Sequence, residues 1–131
     1  MLVSHSVGLA RGLVELAAQV AGPEVTLEAA GGDPDGGLGT SAELIVQAIV
    51  RADAGHGVVV LGDLGSAILT ARELLEGDDA DGASALAGRR VVLADAPFVE
   101  GALAAAVTAA AGCSLDEVVR AAEATRGASK F

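Results

Sequence analysis

The chain has 131 residues, with 18 acidic and 8 basic side chains and a formal net charge of −10. That length fits one domain over residues 1–131 with a short frayed tail at about 127–131, and 52% hydrophobic residues supply a core and argue against wholesale disorder. With no Trp, no Tyr and only Phe98 and Phe131, the acidic chain lacks both the stacking platforms and the basic field of a nucleic-acid binder; its charge suits a basic protein face instead.

Leu2, Val3 and Ser4 open the chain as a short apolar strand. From Leu9 the period changes, and Leu9, Leu13, Leu16, Ala17 and Val20 predict one helical face, ended by Gly22 and Pro23. Residues 24–29 (EVTLEA) alternate and predict a strand near a sheet edge. The turn-rich stretch 31–39 follows, and Thr40 with Glu43 has the spacing of a capping box. Leu44, Ile45, Ala48, Ile49 and Ala52 give the second helix its apolar stripe.

The run 58–61 (VVVL) predicts a strand buried on both faces. A turn over residues 62–65 leads to Ser66 as the cap of a third helix reaching about Leu75. Residues 77–88 are acidic and small, and predict a mobile surface loop. Residues 90–94 (RVVLA) predict another buried strand, and a helix follows from about Glu100 to Ala111. Ser114 and Glu117 form a second capping box, opening a last helix to about Arg126.

Strands alternating with helices predict an α/β fold: an open, mainly parallel four-stranded sheet, flanked by helices on both faces, with right-handed crossovers. One cysteine, Cys113, allows no internal disulfide, and two histidines are too few for a His-rich metal centre, so no metal is expected. Cys113 reads as a small buried apolar group. There is no signal-peptide pattern and no apolar run of membrane-spanning length, so a cytoplasmic protein without membrane contact is expected.

Ligands of open α/β sheets bind beyond the carboxyl ends of the strands. Those ends carry Ser4-His5-Ser6, the Gly31-Gly32 loop, Asp63-Leu64-Gly65-Ser66 and Asp95-Ala96-Pro97. His5 falls between a strand and a helix, where free N–H groups and the helix dipole favour an anion and a neutral imidazole. That is the setting for nucleophilic capture of a phosphoryl group, with Asp63 as the acceptor holding the second ring nitrogen. The bland alternative is a surface histidine near the chain start. The glycine loop is neither a Walker A loop nor a dinucleotide fingerprint. Its functional reading is backbone approach at Gly39, with Thr40 and Ser41 donating hydrogen bonds to a phosphate at a helix start. Ser66 reads as an N-cap before any direct role. Asp95 reads as turn chemistry, Glu100 as an acid serving a helix N-terminus, and His56 as solvated at the opposite rim.

Four ordered segments, LVSHS, AAGG with GLGTS, VVVLGDLGSA and APFVEGA, resemble the phosphotransferase subunits (DhaM) of PTS-dependent dihydroxyacetone kinases. More distantly, the chain is similar to the mannose-type EIIA domains of the sugar phosphotransferase system. The resemblance covers nearly the whole chain and implies a compact α/β homodimer that carries phosphate on His5. It puts the orienting aspartate at Asp63, and Gly39, Thr40, Ser41 and Ser66 near the phosphate. It also implies a relay: HPr phosphorylates His5, and the group passes to ADP on the nucleotide-holding subunit (DhaL), which serves the substrate-binding subunit (DhaK). No cofactor is then bound tightly, because magnesium and ADP belong to the partner. A chain ending at Phe131 is expected to use an external HPr. The turn DLGSA departs from the longer turn of the sugar-transporter relatives. The alternatives left open are an EIIA component of a mannose-class sugar system and a non-catalytic doubly wound binding or regulatory module.

Overall fold

The computed structural model describes residues 1–77 and 83–131. Four strands, β1 (Leu2–Ser4), β2 (Ala29–Gly31), β3 (Val58–Gly62) and β4 (Val91–Leu93), form one all-parallel sheet in the order β2-β1-β3-β4. Between them run α1 (Val7–Ala21), α2 (Ala42–Ala52), α3 (Gly65–Glu76) and the short α4 (Ala83–Leu86). Beyond β4 come α5 (Phe98–Ala110), α6 (Leu115–Ala124) and a 3-10 turn at Thr125–Gly127.

The period-2 geometry of a strand divides the core between the two faces. Val3, Val58 and Val60 pack against residues of α2, α3 and α4, including Ile45, Ile49, Ala71, Leu74 and Leu86. Leu2, Val59 and Leu61 point the other way, onto Leu13 of α1, Ala102 and Ala105 of α5 and Val118 of α6. Every residue of β3 is buried, as a strand covered on both faces must be. The chain runs from β1 to one neighbour and returns past it to the other. The crevice between β1 and β3 is therefore the point where the strand order reverses.

Several local expectations shift. The second strand is Ala29–Gly31 rather than 24–29. Val25 and Leu27 turn away to pack on Ala17, Ala21 and Ala106, so the alternation there reflects helix contact rather than ladder pairing. On α1 the buried stripe is Ala10, Leu13, Ala17 and Ala21, while Leu9, Leu16 and Val20 stand half exposed beside it. Thr40 is not the cap of α2. It pairs with Gly32 in an isolated parallel bridge, and Ser41 takes the cap, its hydroxyl accepting from the Leu44 N–H at 3.3 Å. Glu43 bonds Gln47 and closes no box.

Part of the expected loop 77–88 is the helical turn α4, whose Leu86 is buried; residues 78–82 lie outside the described set. β4 is a half-buried edge strand rather than a fully buried one. α5 starts at Phe98, directly after Pro97, which leaves Glu100 in its first turn. Glu100 pairs with Lys130 at 2.7 Å, so the exposed tail has one tether. Cys113 is exposed, because Gly112 at φ 77 ends α5 and turns the next residue outward. The capping box of Ser114 and Glu117 is present in both directions.

Candidate active site

The β1–β3 register sets Leu2 beside Leu61 and Val3 beside Gly62, so Ser4 and Asp63 emerge together at the carboxyl ends. Each strand then turns directly into a helix, α1 after His5 and Ser6, α3 after Asp63 and Leu64. Asp63 is the hub. Its Oδ2 accepts from the Ser4 hydroxyl at 2.7 Å and from the His5 backbone N–H at 3.1 Å. Its Oδ1 accepts from the Leu64 N–H at 2.7 Å and lies 3.0 Å from His5 Nδ1. Burial pushes this carboxyl up, but the hydrogen bonds from Ser4, from the His5 ring and backbone and from Leu64 outweigh it and hold it below the usual carboxylate range. An ionised Asp63 only accepts, so the proton of a neutral His5 ring sits on Nδ1 and the lone pair on Nε2.

Nε2 faces the Ser66 hydroxyl, and Thr40 Oγ1 lies 3.4 Å from that same oxygen. Ser66 is not the N-cap it was expected to be. α3 begins at Gly65, with Leu64 in the cap position and no side chain capping it. The N–H groups of Gly65, Ser66 and Ala67 find no acceptor among the described residues. By contrast, Ser6, Ser41 and Ser114 cap α1, α2 and α6 with their own hydroxyls. The uncapped turn carries the positive end of a helix dipole beside the ring nitrogen that keeps its lone pair. His5 keeps 26% of its side-chain surface exposed and Asp63 keeps 7%, so the ring is reachable while its orienting partner is sheltered.

The structure therefore brings His5, Asp63, Ser66 and Thr40 together. Gly39 and Ser41 stand behind them. The Gly39 N–H bonds the His5 carbonyl at 3.0 Å, which fixes the backbone of the turn, and Ser41 is occupied by its cap. Sequence reasoning passed over the role of Ser4, the one fully buried polar side chain reported among the described residues. A hydroxyl in an otherwise apolar strand must find a partner, and the adjacent strand end offered Asp63. It also passed over Gly31, where a Cβ would come within 2.7 Å of the Ser6 carbonyl oxygen.

A cavity of about 580 Å3 lies at the other end of the strands, lined by Leu2, Ala105, Val118, His56 and Cys113 among others. It gathers no convergent hydrogen-bonding set comparable to the one around His5. No group of side chains able to hold a metal ion occurs among the described residues, and no helix there is long and apolar enough to cross a membrane.

The fold is an open parallel sheet with the His5–Asp63 pair at its switch point. The family EIIA-man, described as PTS system fructose IIA component, matches residues 1–119, and the chain belongs to that family. Its relatives narrow the branch. It is 41% identical over 123 residues to the phosphoryl donor subunit DhaM of a PEP-dependent dihydroxyacetone kinase of Klebsiella michiganensis. That match covers 91% of this chain and 25% of the relative, so the chain spans about a quarter of that protein. It is 34% identical over 120 residues to the phosphoryl donor subunit DhaM of PEP-dependent dihydroxyacetone kinase 2 of Listeria innocua, covering 92% of each. A crystal structure of a protein of unknown function, EF1359, superimposes with a TM-score of 0.79 at 34% identity, over 99% of this chain and 95% of that one. The sequence is thus DhaM-like within the EIIA-man family.

Proposed function

We propose that the chain is the phosphocarrier of a dihydroxyacetone kinase system, taking a phosphoryl group onto Nε2 of His5 and passing it on. The observation that carries this reading is the Asp63 carboxylate at 3.0 Å from Nδ1, which leaves Nε2 as the nucleophile under Ser66, Thr40 and the uncapped turn of α3. In the first step the Nε2 lone pair attacks the phosphorus of phospho-HPr. The donor's P–N bond breaks and its nitrogen keeps the electron pair. The ring becomes a phosphoimidazolium, its Nδ1–H still held by Asp63, so no proton has to leave. Ser66 and the N–H groups of Gly65, Ser66 and Ala67 are then free to donate to the phosphoryl oxygens. In the second step an oxygen of the β-phosphate of ADP attacks, the P–Nε2 bond breaks, and the neutral ring returns.

ADP and its magnesium are held by the nucleotide-binding subunit (DhaL), and the product ATP serves the dihydroxyacetone-holding subunit (DhaK). The carrier itself needs no tightly bound cofactor or metal, and the relay belongs in the cytoplasm with its soluble partners. The names of the relatives support dihydroxyacetone as the final substrate, and the DLGSA turn favours that branch over the sugar-transporter one.

The test is to incubate the protein with phosphoenolpyruvate, enzyme I and HPr and to follow acid-labile, base-stable phosphate. Labelling is expected, and its loss in His5→Gln. Labelling that survives in His5→Gln overturns the site. Adding the two kinase subunits then decides the substrate: phosphorylated dihydroxyacetone is expected, and transfer only to a sugar permease component overturns that part.

A further inference from the structure

The cavity at the amino ends of the strands lies on the α1, α5 and α6 face of the sheet and shares no residue with the group around His5. Leu2, Val59 and Leu61 line it from the sheet. Its helical walls are alanines, Ala17 of α1 and Ala102, Ala105, Ala106 and Ala109 of α5. These small side chains leave about 580 Å3 where leucines would close the core, a volume within the range of small-molecule sites. Water gains little in such a space, because alkyl groups give it few of the polar partners it needs, and an apolar guest displaces it at little cost. No aromatic side chain lines the cavity among the described residues. A flat ring finds no stacking partner there, whereas a flexible aliphatic chain fits.

One side of the cavity is basic. His56 and Arg90 line it, against a single acid, Glu24. Gly57, at φ 91, brings the two bases together. The Val58 N–H bonds the Arg90 carbonyl at 2.9 Å, and a Cβ on Gly57 would come within 2.8 Å of that same oxygen and of Leu115 Cδ2 at the head of α6. Arg90 gives Nη2 to Asp116 at 2.6 Å. Its other guanidinium N–H groups and the His56 ring have no hydrogen-bond partner among the described residues. Neighbouring basic donors of this kind suit a carboxylate.

We propose that this cavity binds a medium-chain aliphatic carboxylate, with its chain among the alanines and its carboxylate against His56 and Arg90. The alkyl walls supply the burial, and the two bases fix which end of the ligand stays at the mouth. The proposal does not rest on the phosphocarrier reading, and its failure would leave His5 untouched.

The experiment titrates decanoate and decylammonium, one chain with opposite heads, into the full protein by calorimetry below their micelle concentrations. Decanoate is expected to bind one molecule per chain, about tenfold tighter than decylammonium. The net charge of −10 favours the cation over the rest of the surface, so this preference requires a local basic site. His56→Gln and Arg90→Gln are each expected to weaken decanoate about threefold, as exposed charges do, and about tenfold together. Ala105→Leu is expected to abolish binding with the melting temperature held or raised, because the added carbons enter space that is already there. The proposal is overturned by the lack of saturable decanoate binding, by decylammonium binding as tightly, or by unchanged decanoate affinity in the double variant. Unchanged affinity in a folded Ala105→Leu overturns it as well. If Ala105→Leu does not fold, the double variant decides, since His56 and Arg90 are both exposed and their replacement spares the core.

Discussion

The Ser4 hydroxyl lies 2.7 Å from Oδ2 of Asp63, and its own oxygen accepts the Ser6 N–H at 3.0 Å. One buried side chain therefore holds both the orienting carboxylate and the turn that carries His5. In the proposed relay that hydrogen bond draws charge away from the carboxylate and would moderate how strongly Asp63 stabilises a phosphoimidazolium. Ser4→Ala removes a donor from Asp63 and leaves the Ser6 N–H without its acceptor, at a cost of about 1–3 kcal/mol in stability. The Asp63 carboxyl then rises toward its ordinary value. The freed carboxylate accepts more strongly from Nδ1–H, so the equilibrium between the chain and HPr is expected to shift toward the phosphorylated chain. Ser4→Thr keeps the hydroxyl and is expected to restore both stability and equilibrium. A purely structural Ser4 would change the melting temperature in Ser4→Ala without moving that equilibrium.

Asp63 also sets an acid limit. Its hydrogen bonds hold the carboxyl below the usual carboxylate range in the folded chain, so at low pH the unfolded state takes up the proton first. Its contribution to stability is therefore complete above the unfolded value and is lost as pH falls through the lowered folded one. Denaturant melts from pH 6 down to pH 2 are expected to show the difference between the unsubstituted chain and Asp63→Asn constant at the upper end and shrinking at the lower. Asp63→Asn is further expected to slow labelling by phospho-HPr on the order of a hundredfold, because an amide no longer fixes the Nδ1–H tautomer. A pH-independent difference between the two proteins would remove Asp63 from the acid limit. An unchanged labelling rate would remove it from the chemistry.

What the sequence made readable, and what it did not, follows from which forces are local. The apolar run of β3, the breaks at Gly22 and Gly112 and the box of Ser114 with Glu117 are set by near neighbours, and each is found where the pattern puts it. The strand-end rule likewise brought His5 and Asp63 to one rim, because the parallel order fixes which ends of the strands meet. The misplacements share a different cause. Val25 and Leu27 alternate like a strand, but their burial comes from α1 and α5, far away in the chain. Thr40 and Ser41 are equally good caps by type, and the bridge of Thr40 to Gly32 decides between them. Ser66 has the composition of a cap, yet the cap position of α3 falls two residues earlier, on Leu64, and the Ser66 hydroxyl turns to His5. Leu9, Leu16 and Val20 match the helical period, but Ala10, Leu13, Ala17 and Ala21 take the buried stripe and those three flank it. In each case a long-range contact chose among local options that the sequence left nearly equal.

Gly31 shows how the sheet edge reaches the site. It closes β2 beside Ser4, and a Cβ there would come within 2.7 Å of the Ser6 carbonyl oxygen, 2.8 Å of the Val7 Cα and 2.9 Å of the Ser6 carbonyl carbon. All three are backbone atoms of the turn between β1 and α1, so no side chain can swing aside to make room. Gly31→Ala must either push that turn outward or part β2 from β1, and overpacking of this kind costs about 1–3 kcal/mol. Because His5 rides on the turn, its ring would move relative to Asp63, whose position is set independently by β3 and by Ser4. The expected result is a lower melting temperature together with slower labelling from phospho-HPr and from phosphoramidate, a small-molecule phosphoryl donor, alike, since the fault lies at the His5 ring itself. Full labelling rates in a destabilised Gly31→Ala would show that the turn tolerates displacement and that the His5–Asp63 pair is held by its own hydrogen bonds alone.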